Sequence, residues 1–278
     1  MGLFADLFGS RKKMATVPAA PKPKVPPKIG LALGGGGFKG AAHIGVLKVL
    51  AEHGIKIDYI AGTSVGSAVA ALHASGCPLS DMEALLMDDG LAKMFKLRPG
   101  RRGLIPGTAY TERVREMTRG RRIEEMDIPL RIIAVDLLSW NKVVFSEGDA
   151  ALAVRASSAV PAVFTPVELN GMLLADGYLL DNCPGGVVRD MGADIVIAVS
   201  LSTPSYGDPG GLLGIVNRSL NIATSGHQVI DADIILRPIK EASDMLDDSH
   251  MQEHFRLGEE VTRAHIDEIK ALIEARTK

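Results

Sequence analysis

Ser64 lies in Gly62-Thr63-Ser64-Val65-Gly66, with an apolar run before it and a helix-like run, VGSAVAALHA, after it. A serine at a sharp strand-to-helix turn is thrust outward, and only small residues fit two positions to either side, which is the setting of a nucleophile elbow. Upstream, Gly35-Gly36-Gly37-Phe38-Lys39-Gly40 follows a second apolar run and opens a second helix-like segment. Amides without side chains at the positive end of a helix stabilise any anion, phosphate or oxyanion alike. Together the two motifs would supply a nucleophile and donors for the charge on a tetrahedral intermediate, two parts of an acyl-transfer site. The third part is a group that takes the serine proton.

A conventional triad on this architecture runs serine, carboxylate, histidine. His73 falls inside the helix that follows the elbow, and His250, His254 and His265 fall in a C-terminal amphipathic stretch, where packed or solvated roles are expected. His43 and His53 lie on the helix leaving the glycine loop; His43 is close enough to touch substrate, although packing is the expected role. His227, ahead of an apolar run, is the serious triad candidate. Asp176 stands out instead: it ends an apolar run and is followed by Gly177, which lets backbone approach closely. A carboxylate there is costly to bury without a partner. An aspartate is a weak base toward a hydroxyl, but it serves where proton transfer is concerted with attack and the glycine loop carries the developing charge. Lacking an imidazolium to protonate an amine, a Ser64/Asp176 pair suits esters better than peptides.

The elements that must position these residues are read from periodicity. KIGLAL, IDYIAGTS, LRIIAVDLL, ADIVIAVSL and ADIILRP have the length and β-branched content of buried strands, separated by helical segments. This alternation predicts an α/β fold, a three-layer α/β/α arrangement with a mainly parallel central sheet. Consecutive strand ends on one edge would make the glycine loop and Ser64 neighbours. Asn170-Gly171 between apolar runs predicts a hairpin, and residues 93–117, rich in arginine, glycine and proline at first, predict a mobile flap before a helix. Three regions are expected: a flexible N-terminal peptide with a Pro/Lys-rich linker (1–27), a hydrolase domain (28–240), and a C-terminal amphipathic helical extension (241–278).

The chain of 278 residues can bury a sizeable core, and its net charge of -2 gives no global attraction to nucleic acid. Local basic residues, Lys93, Lys96, Arg98, Arg101 and Arg102, are a candidate contact for anionic headgroups. Cys77 and Cys183 have neither a CxxC nor a metal-ligand spacing and are expected to be free thiols of a reducing, cytoplasmic compartment. No cofactor and no metal are expected. The first residues make a poor signal peptide, but Leu3, Phe4, Leu7 and Phe8 followed by Arg11, Lys12 and Lys13 form a candidate membrane-surface or partner peptide. Residues 59–80 carry no Asp, Glu, Lys or Arg, yet their glycines, serines and Pro78 favour a buried segment over a membrane span.

Four blocks in order, GGGGFKG, GTSVG, ASSAVP (Ala156 to Pro161) and DGY (Asp176 to Tyr178), resemble the patatin-like phospholipases over roughly residues 28 to 200. The resemblance implies Ser64 as nucleophile, Asp176 as base, Gly35, Gly36, Gly37, Phe38, Lys39 and Gly40 as the oxyanion loop, and a metal-independent lipid acyl hydrolase. The expected partner is a lipid or acyl ester, with peripheral membrane contact as a candidate. Two positions depart from the family pattern: Tyr178 where Gly or Ala is usual, and Gly34 where Asp is frequent. Two rivals stand beside this reading. Gly35, Gly37 and Gly40 with Asp58, 18 residues beyond Gly40, satisfy a dinucleotide-binding fingerprint and hence an oxidoreductase. A non-catalytic lipid-binding protein of the same fold is the other.

Overall fold

A computed structural model describes residues 25–87, 97–203, 208–225, 230–240 and 249–277. The N-terminal peptide, Lys93, Lys96, His227 and residues 241–248 lie outside the described residues.

Five strands that the sequence marks by β-branched runs are parallel: β1 (Ile29–Leu33), β2 (Tyr59–Thr63), β3 (Leu130–Asp136), β7 (Ile195–Val199) and β8 (Ile234–Leu236). Three more, β4 (Asn141–Phe145), β5 (Val167–Leu169) and β6 (Met172–Asp176), are antiparallel additions that complete an eight-stranded sheet. The Asn170-Gly171 turn joins β5 to β6 with φ of 49° and 79°, the left-handed conformations that a two-residue hairpin turn requires.

The sheet has two unlike faces, because side chains alternate along each strand. Leu31, Leu33, Ile60, Ile132, Ile197 and Val199 form one core with α1 (Ala41–Glu52), α2 (Val65–Ala74), α5 (Ala150–Ser157) and α8 (Met251–Arg276). Ala32, Ala61, Val196 and Ala198 face the short α6 (Gly185–Asp190), packed by Val187 and Val188. Small residues let that helix come close: a Cβ at Gly30 would lie 2.1 Å from Val188 Cγ1. The α/β three-layer arrangement is therefore built from a layer of large aliphatics on one face and a layer of alanines on the other.

α8 lies along α1. Its residues His254, Gly258, Thr262, Ile266 and Ile269 are buried on one face, at spacings of three and four. At the crossing, a Cβ on Gly258 would sit 2.1 Å from the Ala42 carbonyl, and one on Gly45 would sit 2.1 Å from the Phe255 carbonyl. Among the described residues, no helix is long and apolar enough to cross a membrane.

The described part of the flap has defined attachments. Leu104 and Ile105 amides both donate to the Val163 carbonyl, and Thr165 returns a bond to Ile105. Arg155 of α5, buried, donates to the carbonyls of Pro106 and Thr165 and lies over the Phe164 ring. The described part of the flap, residues 97–107, leads into α4 (Thr108–Met117).

Candidate active site

Ser64 joins β2 to α2 with φ 54° and ψ -128°, a strained conformation for a residue with a side chain, costing about 1 to 3 kcal/mol. The neighbouring glycines make the turn possible. A Cβ on Gly62 would lie 2.3 Å from the Gly66 carbonyl oxygen, and one on Gly66 would lie 2.2 Å from the Leu33 carbonyl oxygen. The Ser64 amide donates to Ser157 Oγ at 2.8 Å, and its carbonyl accepts from the Ser67 amide and hydroxyl. The side chain is thus fixed at its backbone on both sides while 7% of the residue remains exposed.

Asp176 reaches Ser64 through the register of β3. Leu130 to Ile133 pair with β2, whereas Ala134 to Asp136 pair with β6. Because β4 occupies Ile132 to Asp136 from the other side, β2 and β6 share one edge of β3 and meet end to end there. Thr63 is opposite Ile133, and Asp176 is opposite Ala134. Gly177 is what allows the junction, since a Cβ there would press on the Ile133 carbonyl at 2.5 Å and on Thr63 Cγ2 at 3.0 Å.

The carboxyl of Asp176 is wholly buried. Oδ1 accepts the Tyr178 amide at 3.0 Å, while Oδ2 has no hydrogen-bond partner. Burial raises its proton affinity until the pKa is about 7; the Tyr178 amide and the Ser64 hydroxyl, which favour the ionised form, offset this only in part. The Tyr178 ring joins an apolar cluster with Ile105, Val160 and Phe164.

The glycine loop abuts the elbow: a Cβ on Gly35 would be 3.1 Å from Ser64 Cβ, and one on Gly40 would be 2.2 Å from Val65 Cγ2. The individual amides are not equivalent. Gly35 donates to both the main-chain and side-chain oxygens of Asn182, at 3.0 and 3.1 Å, so that amide is already committed. The amides of Gly36 and Gly37 have no acceptor among the described residues, and Gly36 to Phe38 are partly exposed where Gly35, Lys39 and Gly40 are buried. Gly37 has φ 61°. His43 Nε2 bonds the Gly34 carbonyl at 2.7 Å, and its burial lowers its pKa to about 4, so the ring is neutral and holds the start of the loop. A side chain at Gly34 would meet the Val199 carbonyl at 3.0 Å, a local reason for glycine there.

Asn182 lies outside the quoted motifs, and Ser157 lies inside the Ala156–Pro161 block with no role assigned by it. Asn182 also donates to Ser202 Oγ at 2.8 Å, and the preceding Asp181 carbonyl accepts the Thr63 hydroxyl at 2.8 Å. Their signal in the sequence is position alone: each sits within or just after a block shared with the family. Of the other expected candidates, His53 lies beside Lys270, His265 bonds its own helix, and His73 is mostly buried. Both cysteines are unpaired, and burial pushes the Cys183 thiol up to about 12.

Asp58 is not brought to the glycine loop. It accepts the Ile29 amide at 2.9 Å and pairs with Lys28, at the first residue of β1, whereas the loop follows the last. The dinucleotide fingerprint is therefore split between opposite ends of one strand, and the oxidoreductase reading fails. Among the described residues, no group of three His, Cys, Asp or Glu side chains is placed to hold a metal ion.

Residues 31–188 match the model of the patatin-like phospholipase family. An uncharacterised NTE family protein of Mycobacterium tuberculosis is 37% identical over 183 residues, which are 65% of this chain and 51% of that protein. Patatin-like phospholipase domain-containing protein 7 of Mus musculus is 32% identical over 194 residues, 65% of this chain and 14% of that protein. The chain thus spans about half the length of the mycobacterial relative it matches. Among solved structures, VipD from Legionella pneumophila shares the fold with a TM-score of 0.55 at 15% identity, over 88% of this chain and 68% of that one.

Proposed function

The chain belongs to the patatin-like phospholipase family, and on that premise we propose that it is a serine lipid acyl hydrolase, of phospholipase A, lysophospholipase or carboxylesterase type, using Ser64 and Asp176 as its catalytic pair. The observation that carries this reading is the end-to-end meeting of β2 and β6 along β3, which sets the Ser64 elbow against the buried carboxyl of Asp176.

In the proposed sequence, Ser64 Oγ attacks the ester carbonyl as its proton passes to Asp176. The negative charge on the former carbonyl oxygen is met by the amides of Gly36 and Gly37, with Gly35 serving to anchor the loop through Asn182. Collapse breaks the bond to the leaving alkoxide, which takes the proton back from Asp176 and departs as an alcohol. A water then attacks the acyl-serine, its proton passes to Asp176, and collapse returns the proton to Ser64 and releases the acid. A base with a pKa of about 7 is matched to proton transfer near neutral pH.

The test is labelling by a fluorophosphonate probe with hydrolysis of a panel of acyl esters, for the wild type, Ser64→Ala, Asp176→Asn and His227→Ala. Loss of labelling in Ser64→Ala and loss of turnover in both Ser64→Ala and Asp176→Asn are expected. An active Asp176→Asn beside an inactive His227→Ala would instead establish a triad.

A further inference from the structure

The turn between β3 and β4 holds apolar side chains in water by design. Asp136, buried at its base, accepts from the amides of Leu138, Ser139 and Leu173 and from the Ser139 hydroxyl, and the Trp140 amide closes the turn onto the Asp136 carbonyl at 2.8 Å. Trp140 adopts φ 62°, a conformation that costs a residue with a side chain about 1 to 2 kcal/mol, and it is 85% exposed; Leu138 is 65% exposed. A rigid, strained turn that displays a tryptophan has no account within the fold.

The place of the turn gives one. β3 runs on past Ala134, the partner of Asp176, so the turn stands roughly 10 Å beyond the level of the catalytic pair, on the edge where Ser64 opens. Other exposed apolar side chains lie on elements next to the Asp176-Gly177-Tyr178 block. Leu180, two residues after the Asp176-Gly177-Tyr178 block, is half exposed. α7 (Leu212–Ser225) packs on the Gly177–Leu179 turn, with Leu220 turned into the cluster around Tyr178. Its outer stripe, Leu212, Ile215, Ser219 and Ile222, is exposed, at the spacing of one helical face. Beside them, the flap carries Arg98 and Arg101, exposed and without an ion pair among the described residues, whereas Arg102 pairs with Glu168.

We propose that Leu138, Trp140, Leu180 and the Leu212–Ile215–Ile222 stripe form a docking surface for an anionic phospholipid bilayer, seated so that the Ser64 site opens onto the lipid. This rests on the reading of the site as a lipid acyl hydrolase, whose substrate would otherwise have to leave the bilayer before reaching Ser64. A bilayer is favoured by the pairing of large apolar side chains, tryptophan among them, with the exposed cations Arg98 and Arg101. That is the composition suited to the boundary between acyl chains and anionic headgroups.

Trp140 is the single tryptophan of the chain, so its fluorescence reports this surface alone. The full chain carrying Ser64→Ala is titrated with vesicles of phosphatidylcholine and of phosphatidylcholine with phosphatidylglycerol. The anionic vesicles are expected to shift the emission to shorter wavelength and to shield it from an aqueous quencher. Leu212→Ser with Ile215→Ser and Ile222→Ser is expected to lower vesicle affinity more than about a hundredfold. Arg98→Gln with Arg101→Gln is expected to lower it roughly thirtyfold. Unchanged unfolding temperatures show that the variants fold. No shift on anionic vesicles, or an equal shift on neutral ones, overturns the proposal. Turnover of a water-soluble ester by the wild type is measured alongside. Turnover without a vesicle response overturns docking alone, whereas a vesicle response without turnover supports docking and removes the hydrolase reading.

Discussion

Replacing Asp176 by Asn is expected to abolish turnover and to stabilise the fold, by an amount that grows with pH. The carboxyl is wholly buried with one oxygen unpartnered, and burial raises its pKa to about 7, against about 3.9 in an unfolded chain. Between those values the folded chain binds more protons than the unfolded one, so stability falls as pH rises through that window. A shift of about 3 units corresponds to about 4 kcal/mol, nearly absent at pH 4 and complete above about pH 7. Asparagine keeps an oxygen for the Tyr178 amide and the shape of the carboxyl, but it has no charge to desolvate.

Urea denaturation of the wild type and Asp176→Asn from pH 4 to pH 8.5 measures the effect. Their difference should widen by about 1.4 kcal/mol per pH unit and then level off near pH 7. Asp136, Asp149 and Asp233, whose pKa values are lowered by hydrogen bonds and ion pairs, lose stabilisation as the pH falls, but they are common to both chains and cancel. A difference that is flat with pH, or a wild type more stable than the variant at pH 8, would refute the reasoning: Asp176 would then ionise in its ordinary range and would be no stronger a base than a surface carboxylate.

On the proposed mechanism, the same pKa is expected to set the catalytic profile. For a water-soluble ester, kcat/KM should rise with an acidic limb centred near pH 7, because Asp176 must be ionised to accept the proton; a limb at pH 4 to 5 would contradict the burial argument. Gly66→Ala drives a methyl to 2.2 Å from the Leu33 carbonyl, so loss of fluorophosphonate labelling together with a destabilisation of about 3 kcal/mol or more in urea is expected. Normal labelling in that variant would show that the elbow tolerates a side chain there. Asn182→Ala removes one of two acceptors from the Gly35 amide and frees the Ser202 hydroxyl; kcat should fall about tenfold with KM nearly unchanged, and a pure KM effect would place Asn182 in substrate binding instead.

What could be read in the sequence was what is local to it. The elbow and the glycine loop announce themselves because backbone crowding leaves room only for hydrogen at Gly62, Gly66 and Gly40, and that restriction is written as residue type. The five parallel strands carry largely apolar runs because they lie buried in the sheet. β4 left no such signal: NKVVF is mostly exposed, and its place is fixed by pairing with β3 rather than by its own burial. The commitment of the Gly35 amide to Asn182 could not be read either, since the two are 147 residues apart and Asn182 belongs to no recognised motif. Asp58 shows the converse. Its spacing from the loop matched a pattern, but spacing does not say at which end of β1 a residue lands.

In the proposed mechanism, a catalytic unit of two residues depends on where the carboxyl is put. A solvated aspartate with a pKa near 4 would hold a serine proton too weakly to be useful at neutral pH, and the usual remedy is an imidazole between the two. In the proposed Ser64/Asp176 pair, burial set by the strand register would take the place of that imidazole. By ending β6 against the end of β2, the register buries Asp176 wholly, with the Tyr178 amide on one oxygen and the Ser64 hydroxyl alongside. The burial that costs about 4 kcal/mol of folding stability is the same free energy that raises the carboxyl's proton affinity. Supplying Oδ2 with a second buried donor would therefore stabilise the fold and weaken the base together. The two effects cannot be separated while Asp176 remains wholly buried.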